Sequence, residues 1–143
     1  MIPINVLLVE DNEGDILLTQ EALLEGEIAK EIQVVKDGWE AIQYLQKSDA
    51  YKLATTPDLI ILDINLPKLN GFEVLKKIRS SKVTEDIPVI MLSTSTQEID
   101  MKNSIKYRAN CYISKPVDAD DYTNVISSIK TFWLSTSNPP ASK

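Results

Sequence analysis

The chain has 143 residues, of which 43% are hydrophobic and 25% charged, as is typical of a single globular domain. Its net charge of −6 argues against nucleic acid as a partner, because phosphate backbones are bound by basic surfaces. It contains no histidine and one cysteine, Cys111, which excludes histidine catalysis, histidine metal ligands and an internal disulfide. It has no basic leader and no apolar run of membrane-spanning length, so we expect a cytoplasmic protein without a membrane partner.

The first third of the chain predicts two strands and the helix between them. Ile4–Val9 is a short apolar strand, and a helix follows over residues 15–25, with Asp11 or Asn12 as its cap. The core candidates on this helix are Leu17, Leu18, Leu23 and Leu24. Residues 32–35 form a second strand, whose alternating pattern is typical of a sheet edge.

The centre of the chain contains the most hydrophobic strand. A second helix begins after Asp37 and Gly38 and leads through a polar segment to residues 59–63. Four apolar residues without a polar break precede Asp63 there, which predicts a strand buried on both faces of a parallel sheet. Asn70 then serves as the cap of a third helix.

The last third predicts two further strands, each followed by a helix. Residues 89–92 form the fourth strand, and the helix over residues 97–107 is poor in apolar residues, so it should pack loosely. Residues 111–113 form the fifth strand. The last helix has an apolar stripe made of Tyr122, Val125, Ile126, Ile129, Phe132 and Trp133. Trp133, at its end, is a candidate for an exposed dimer or docking contact.

Strand and helix alternate five times, which predicts an α/β fold of the doubly wound class. A single five-stranded parallel sheet should carry helices on both faces, with its ligand site at the carboxyl ends of the strands. We expect this domain to span residues 1–134. Residues 135–143, rich in Ser, Asn and Pro, should form a flexible tail.

Polar residues follow four of the five predicted strands. They are Glu10 and Asp11 after the first, Asp63 after the third, Ser93 and Thr94 after the fourth, and Lys115 after the fifth. Three carboxylates at one edge require a cation, and oxygen ligands alone favour Mg²⁺, with Mn²⁺ as a second candidate. A carboxylate nucleophile beside such an ion, an ammonium and a hydroxyl predicts phosphoryl transfer to Asp63.

Each of these residues also has an ordinary explanation. Asp63 could start a polar loop, Ser93 could be a turn hydroxyl, and Lys115 could be a surface lysine. The joint occurrence at four strand ends favours a site. Pro116 adds to this, because X–Pro bonds are cis in some tight turns and can then orient the preceding side chain.

These motifs resemble the receiver domain of two-component response regulators, the CheY-like family, over residues 4–133. The resemblance implies a flavodoxin-like strand order of 2-1-3-4-5. It implies that Asp63 is the phosphoacceptor and that Glu10 contacts the metal through water. The implied direct metal ligands are Asp11, Asp63 and the backbone carbonyl of Asn65. Lys115, Ser93 and Thr94 would face the phosphoryl group.

The resemblance also implies a switch and its partners. Phosphorylation should draw the Ser93 hydroxyl inward and let Tyr112 turn in, repacking the face of the fourth helix, fifth strand and fifth helix. The donor would be a bacterial sensor histidine kinase or a histidine phosphotransfer protein, and the same face would form a homodimer. Such a domain is not an enzyme acting on a separate substrate, although it catalyses its own phosphorylation and dephosphorylation. Because the sequence stops after the last helix, we expect its output to be protein contacts.

Shorter motifs are similar to the stand-alone receivers paired with phytochrome-like kinases of bacteria. These motifs lie at residues 9–15, 17–23, 65–67 and 93–95. Three departures from the family pattern stand out. Arg108-Ala109-Asn110 replaces the usual Gly-Ala before the fifth strand, and we expect Asn110 to take the positive φ of the glycine. Thr94 stands where many relatives have alanine and should narrow access to the phosphoryl group. Asn70 replaces the usual aspartate at the cap of the third helix.

Two other classes remain open. A phosphatase of the haloacid-dehalogenase type also uses a strand-end Asp, Mg²⁺, a hydroxyl and a Lys. It needs a second Asp two residues later as general acid, where this chain has Asn65. The other alternative is a degenerate, metal-free interaction module, against which the full set of polar residues argues.

Overall fold

In the computed structural model, residues 3–95 and 97–136 are described, apart from the side chains of Asp49, Ala119 and Thr136. All predicted strands and helices are present. They are β1 Ile4–Val9, α1 Glu13–Glu25, β2 Ala29–Val35, α2 Gly38–Leu45, β3 Leu59–Leu62, α3 Gly71–Ser80, β4 Val89–Ser93, α4 Glu98–Lys106, β5 Cys111–Ser114 and α5 Tyr122–Thr136. Residues 137–143 of the predicted tail lie outside the described residues. No helix in the described ranges is long and apolar enough to cross a membrane.

The five strands form one parallel sheet in the order β2-β1-β3-β4-β5, which confirms the predicted topology. β2 lies at an edge, as its alternating pattern indicates. The register pairs Val9 of β1 with Leu62 of β3. The next residues along the two strands, Glu10 and Asp63, are therefore brought side by side.

The sheet separates two apolar clusters. α1 and α5 cover one face, and α2 and α3 cover the other. All four residues of β3 are fully buried between these layers, in agreement with their unbroken apolar run. Burial on both faces makes β3 a rigid support for the residue that follows it.

The predicted core face of α1 is wrong in two positions. Leu17 and Leu24 are each 56% exposed, whereas Leu23 is fully buried and Leu18 is half-buried against the core. The buried residues are Ile16, Thr19, Ala22 and Leu23. Residues 17 and 24 are seven positions apart and therefore lie on the same side of the helix, away from its buried residues. They are exposed there although both are hydrophobic.

α4 packs as loosely as predicted, since Ser104 is its only buried residue. Its apolar residues Ile99, Met101 and Ile105 are all exposed. The stripe on α5 is buried against the sheet, and Trp133 is half-buried there instead of exposed. Its ring contributes to the core because the last turn of α5 still packs against the sheet.

Candidate functional site

The carboxyl ends of β1 and β3 hold two buried carboxylates. The backbone N–H of Glu10 donates to Val35 O at 3.0 Å, and that of Asp63 donates to Val9 O at 3.1 Å. The parallel hydrogen-bond pattern thus continues one residue beyond each strand. Both side chains are buried, at 2% and 7% exposure, so the sheet itself fixes their positions.

Three carboxylates converge at this edge, as predicted. One oxygen from each of Glu10, Asp11 and Asp63 lies within 4.8 Å of the others, and Asp11 is the exposed member. Burial, together with the charge of Asp63, raises the pKa of Glu10 to about 7, although its hydrogen bond with Lys115 acts in the opposite direction. These three carboxyl groups outnumber the one ammonium group of the site, that of Lys115. An all-oxygen donor set of this kind suits a hard divalent cation.

Lys115 is the cation of the site. Its Nζ lies 2.6 Å from Glu10 Oε1, 2.9 Å from Asp15 Oδ2 and 3.3 Å from Asp63 Oδ2. Its side chain is only 4% exposed. Burial acts to lower the pKa of Lys115, but the hydrogen bonds with Glu10 and Asp15 and the charge of Asp63 outweigh it and raise the pKa. Lys115 is thus held as an ammonium in direct contact with the predicted phosphoacceptor.

Asp15 is the site residue that the sequence interpretation missed. It lies in the first turn of α1, where an acidic side chain also suits the positive end of the helix dipole. Its contact with Lys115 joins residues that are 100 positions apart in the chain. The available signal was its place in the first turn of the helix that follows β1, Glu10 and Asp11.

The loop after β3 fixes the orientation of Asp63. Asp63 Oδ1 accepts from the Ile64 N–H at 2.8 Å, so Oδ2 is left to face Lys115. Gly71 closes this loop by donating to Ile64 O at 2.7 Å. A Cβ at Gly71 would lie 2.2 Å from the Asp63 carbonyl oxygen, so the close approach requires glycine. Asn65 lies exposed in the same loop, and its carbonyl as a metal ligand stays a prediction.

The predicted switch residues lie around the loop after β4. Ser93 is fully buried, and its hydroxyl accepts from the Ser95 N–H at 3.3 Å. Its carbonyl accepts from the Lys115 N–H at 2.8 Å, which joins it to the site. Tyr112 is half-buried, and its hydroxyl donates to Ser95 O at 2.7 Å. Thr94 is exposed. The roles of these residues in signalling remain predictions.

The segments on either side of β5 correct two expectations. Arg108, and not Asn110, has the positive φ, of 67°. Arg108 directly follows the cap of α4 at Tyr107, a position where helices commonly turn left-handed. The Asn110 side chain instead accepts from the Val89 N–H at 2.8 Å. No peptide bond among the described residues is cis, so Pro116 does not orient Lys115 in the suggested way.

The fold and the site are those of a signalling receiver. The model of the response regulator receiver domain family matches residues 6–127, and the chain belongs to that family. Response regulator Rcp1 of Synechocystis sp. is 39% identical over 136 residues, which are 95% of this chain and 92% of that protein. Membership in this family confirms the expected class, a phosphorylation-based signalling domain of two-component systems.

Two solved structures extend the similarity. The phosphorylated cyanobacterial phytochrome response regulator RcpA has a TM-score of 0.87 at 44% identity, covering 94% of this chain and 96% of that chain. The Mn²⁺-bound form of Rcp1 has a TM-score of 0.85 at 39% identity, with the same coverage. The predicted likeness to phytochrome-associated receivers is therefore confirmed. A receiver needs no acid two residues after the nucleophile, so Asn65 fits this class better than the phosphatase alternative.

Proposed function

We propose that Asp63 accepts a phosphoryl group from the phosphohistidine of a sensor histidine kinase or of a histidine phosphotransfer protein. The observation that carries this proposal is the position of Asp63 Oδ2 at the carboxyl end of the buried strand β3. This oxygen does not accept from the Ile64 N–H and lies 3.3 Å from the ammonium of Lys115. Asp63 Oδ2 attacks phosphorus, and the bond between phosphorus and the imidazole nitrogen breaks. The electron pair stays on that nitrogen, which takes up a proton from solvent.

The acidic cluster would hold Mg²⁺, or Mn²⁺ in its place. Asp11, Asp63 and the backbone carbonyl of Asn65 would be direct ligands, and Glu10 would act through water. The excess of carboxylates over ammonium groups supports this assignment, as does the Mn²⁺-bound form of Rcp1. An ion held there would supply neutralisation of charge on the phosphoryl oxygens, both in transfer and in the domain's self-catalysed dephosphorylation. Lys115, which already contacts Asp63, would neutralise charge on the phosphoryl group once it is attached.

Phosphorylation would be read through the loop after β4. The hydroxyls of Ser93 and Thr94 would donate hydrogen bonds to the phosphoryl group. These bonds would move the loop toward Asp63. The Tyr112 hydroxyl would follow, since it is bonded to Ser95 O in that loop. The face of α4, β5 and α5 would then repack and serve as a partner or homodimer contact. A phytochrome-like kinase in a bacterial cytoplasm is the donor we expect, by similarity to RcpA.

The test is incubation with phosphoramidate and Mg²⁺, followed by intact-mass measurement. We expect one added phosphoryl group per chain, and none after EDTA treatment or in Asp63→Asn. Asp58→Asn, which changes another carboxylate beside the same strand, should label like the wild type. Undiminished labelling of Asp63→Asn would refute the assignment. Continuous turnover of a phosphate ester would instead support the phosphatase alternative.

The output face needs its own measurement. Sedimentation of the chain before and after phosphorylation should show a change in the monomer–dimer equilibrium. An Ile105→Glu variant on the exposed side of α4 should weaken the dimer and leave labelling intact. An equilibrium that does not respond to phosphorylation would contradict a homodimer output.

A further inference from the structure

α1 and α3 begin with the same pair of capping residues but use them differently. Each has an Asn cap and an acidic residue three positions later. In α3 the carboxylate of Glu73 accepts from the Asn70 N–H at 3.0 Å, which completes a capping box. In α1 the N–H of Asn12 is bonded to Glu10 Oε2 at 3.2 Å. The carboxylate of Asp15, in the position that corresponds to Glu73, is therefore free for another partner.

That partner is the ammonium of Lys115, at 2.9 Å. A lysine ammonium has three N–H donors, and the carboxylates of Glu10, Asp15 and Asp63 occupy its surroundings. Asp15 is the most solvent-accessible of these three side chains, at 28% exposure. Among the described residues, the carboxylates that converge as a metal cluster are Glu10, Asp11 and Asp63. Asp15 thus contacts the lysine without belonging to the metal cluster.

We propose that Asp15 competes with the phosphoryl group on Asp63 for Lys115 and thereby shortens the lifetime of the phosphorylated state. This inference rests on the proposed function. Phosphorylation places nearly two negative charges where Asp63 has one, so the phosphoryl group needs Lys115 more than the carboxylate did. Asp15 holds the same nitrogen, which withdraws one donor and adds a like charge close to the phosphoryl oxygens.

The lifetime is set by hydrolysis of the acyl phosphate. A water oxygen attacks phosphorus, and the bond between phosphorus and the Asp63 oxygen breaks. The electron pair returns to the Asp63 carboxylate, inorganic phosphate leaves, and a proton of the water passes to solvent. We take Lys115 to stabilise the acyl phosphate more than the loose transition state of this step. A phosphoryl group that shares Lys115 with Asp15 should therefore be lost sooner.

Asp15→Asn removes the charge and keeps the size of the side chain. After labelling at saturating Mg²⁺ and removal of the donor, we expect the half-life of the phosphorylated mass to lengthen about fivefold to tenfold, as a change of about one charge contact allows. Asp15→Glu restores a carboxylate and should return the half-life toward that of the wild type. Binding of beryllium fluoride with Mg²⁺, a phosphoryl mimic that does not hydrolyse in this way, should tighten by a similar factor in Asp15→Asn.

Glu13→Gln is the matched control. Glu13 lies in the same first turn of α1, so the substitution changes the net charge and the helix terminus equally. Its carboxylate pairs with Lys36 on the surface and does not touch Lys115. We expect its half-life to stay within about twofold of the wild type, because exposed charges are well screened.

The outcomes separate the two proposals. A wild-type chain that takes up no phosphoryl group on Asp63 refutes the proposed function. A wild-type chain that labels, with an unchanged or shorter half-life in Asp15→Asn, refutes the competition for Lys115. Equal lengthening in Glu13→Gln also refutes it, because the effect would then be one of overall charge.

Discussion

The two ends of the sheet each enclose a cation, with opposite kinds of partner. At the carboxyl end, Lys115 is surrounded by carboxylates. At the amino end, all the acceptors of Arg79 of α3 that lie among the described residues are neutral oxygens. These are the carbonyls of Arg108, Glu85 and Ile87 and the Oδ1 of Asn110, at 2.8 to 3.0 Å. The two side chains carry the same charge, so the difference lies in what surrounds them.

The pKa values express this contrast. Burial acts to lower the pKa of both cations, but the carboxylates beside Lys115 reverse the effect and raise its pKa. At Arg79, burial and then the charge of Arg108 lower the pKa, and Asp86 offsets this only in part. Arg79 thus holds the segments that lead into β4 and β5 in fixed positions relative to α3. At the carboxyl end the carboxylates outnumber the ammonium groups, and this is where the proposed cation would bind.

The largest effect that follows from this contrast is on stability. Arg79→Met should lower the free energy of unfolding by about 3 kcal/mol, since several backbone carbonyls and Asn110 lose their donor. Urea unfolding measures this loss. Labelling of Asp63 with phosphoramidate should stay at the wild-type rate in conditions where the variant is folded, because Arg79 lies at the other end of the sheet.

Lys77→Met is the control for Arg79→Met. Lys77 is an exposed neighbour on the same helix, and its loss should change stability by no more than about 0.5 kcal/mol. Equal effects of the two substitutions would show that the hydrogen bonds of Arg79 contribute nothing specific. A slower labelling rate in folded Arg79→Met would show that the two ends of the sheet are coupled.

A smaller effect should appear as a pH dependence at the carboxyl end. Glu10, with its pKa raised from 4.5 to about 7, binds its proton more tightly in the folded chain than in the unfolded one. Its contribution is therefore most favourable below pH 4.5 and is lost as the pH rises through 7, by an amount on the order of 2 kcal/mol. Urea unfolding in EDTA at pH 5 to 8, compared between the wild type and Glu10→Gln, isolates this contribution.

Glu13→Gln is the control for the loss of one carboxylate, since Glu13 pairs with Lys36 on the surface and does not contact Glu10 or Lys115. If Glu10→Gln has the same slope as the wild type, the proton does not reside on Glu10. A stability difference that grows in the opposite direction would mean that Lys115 outweighs burial and keeps Glu10 ionised.

Much of the fold was predictable because its signals are local. The unbroken apolar run of β3 and the polar residues at four of the five strand ends are signals carried by neighbouring residues, and these led to Asp63, Glu10 and Lys115. The contact between Asp15 and Lys115 was not predictable in the same way, because it depends on the position of the first turn of α1 relative to the end of β5. The four acceptors of Arg79 were missed for the same reason, as they come together only in the tertiary structure.

The loop before β5 shows where residue preferences alone mispredict the backbone. Asn tolerates positive φ better than Arg, so residue preference alone pointed to Asn110. The end of α4 decides otherwise, because the residue after its cap, Arg108, must turn left-handed. Asn110 is needed for its side chain, whose Oδ1 accepts from both the Val89 N–H and Arg79.

The smallest predicted effect tests this reading of the loop at the amino end. Arg108→Gly should raise the free energy of unfolding by about 0.5 kcal/mol, because glycine relieves the φ of 67° by more than it adds freedom to the unfolded chain. Arg108→Ala removes the same charge and side chain but keeps the backbone strain, so it should give no such gain. Asn110→Gly should instead lower stability by about 1 to 2 kcal/mol, since it leaves the Val89 N–H and Arg79 Nη2 without their acceptor. Urea unfolding of the three variants ranks them, and a gain for Asn110→Gly with a loss for Arg108→Gly would reverse the assignment of the left-handed residue.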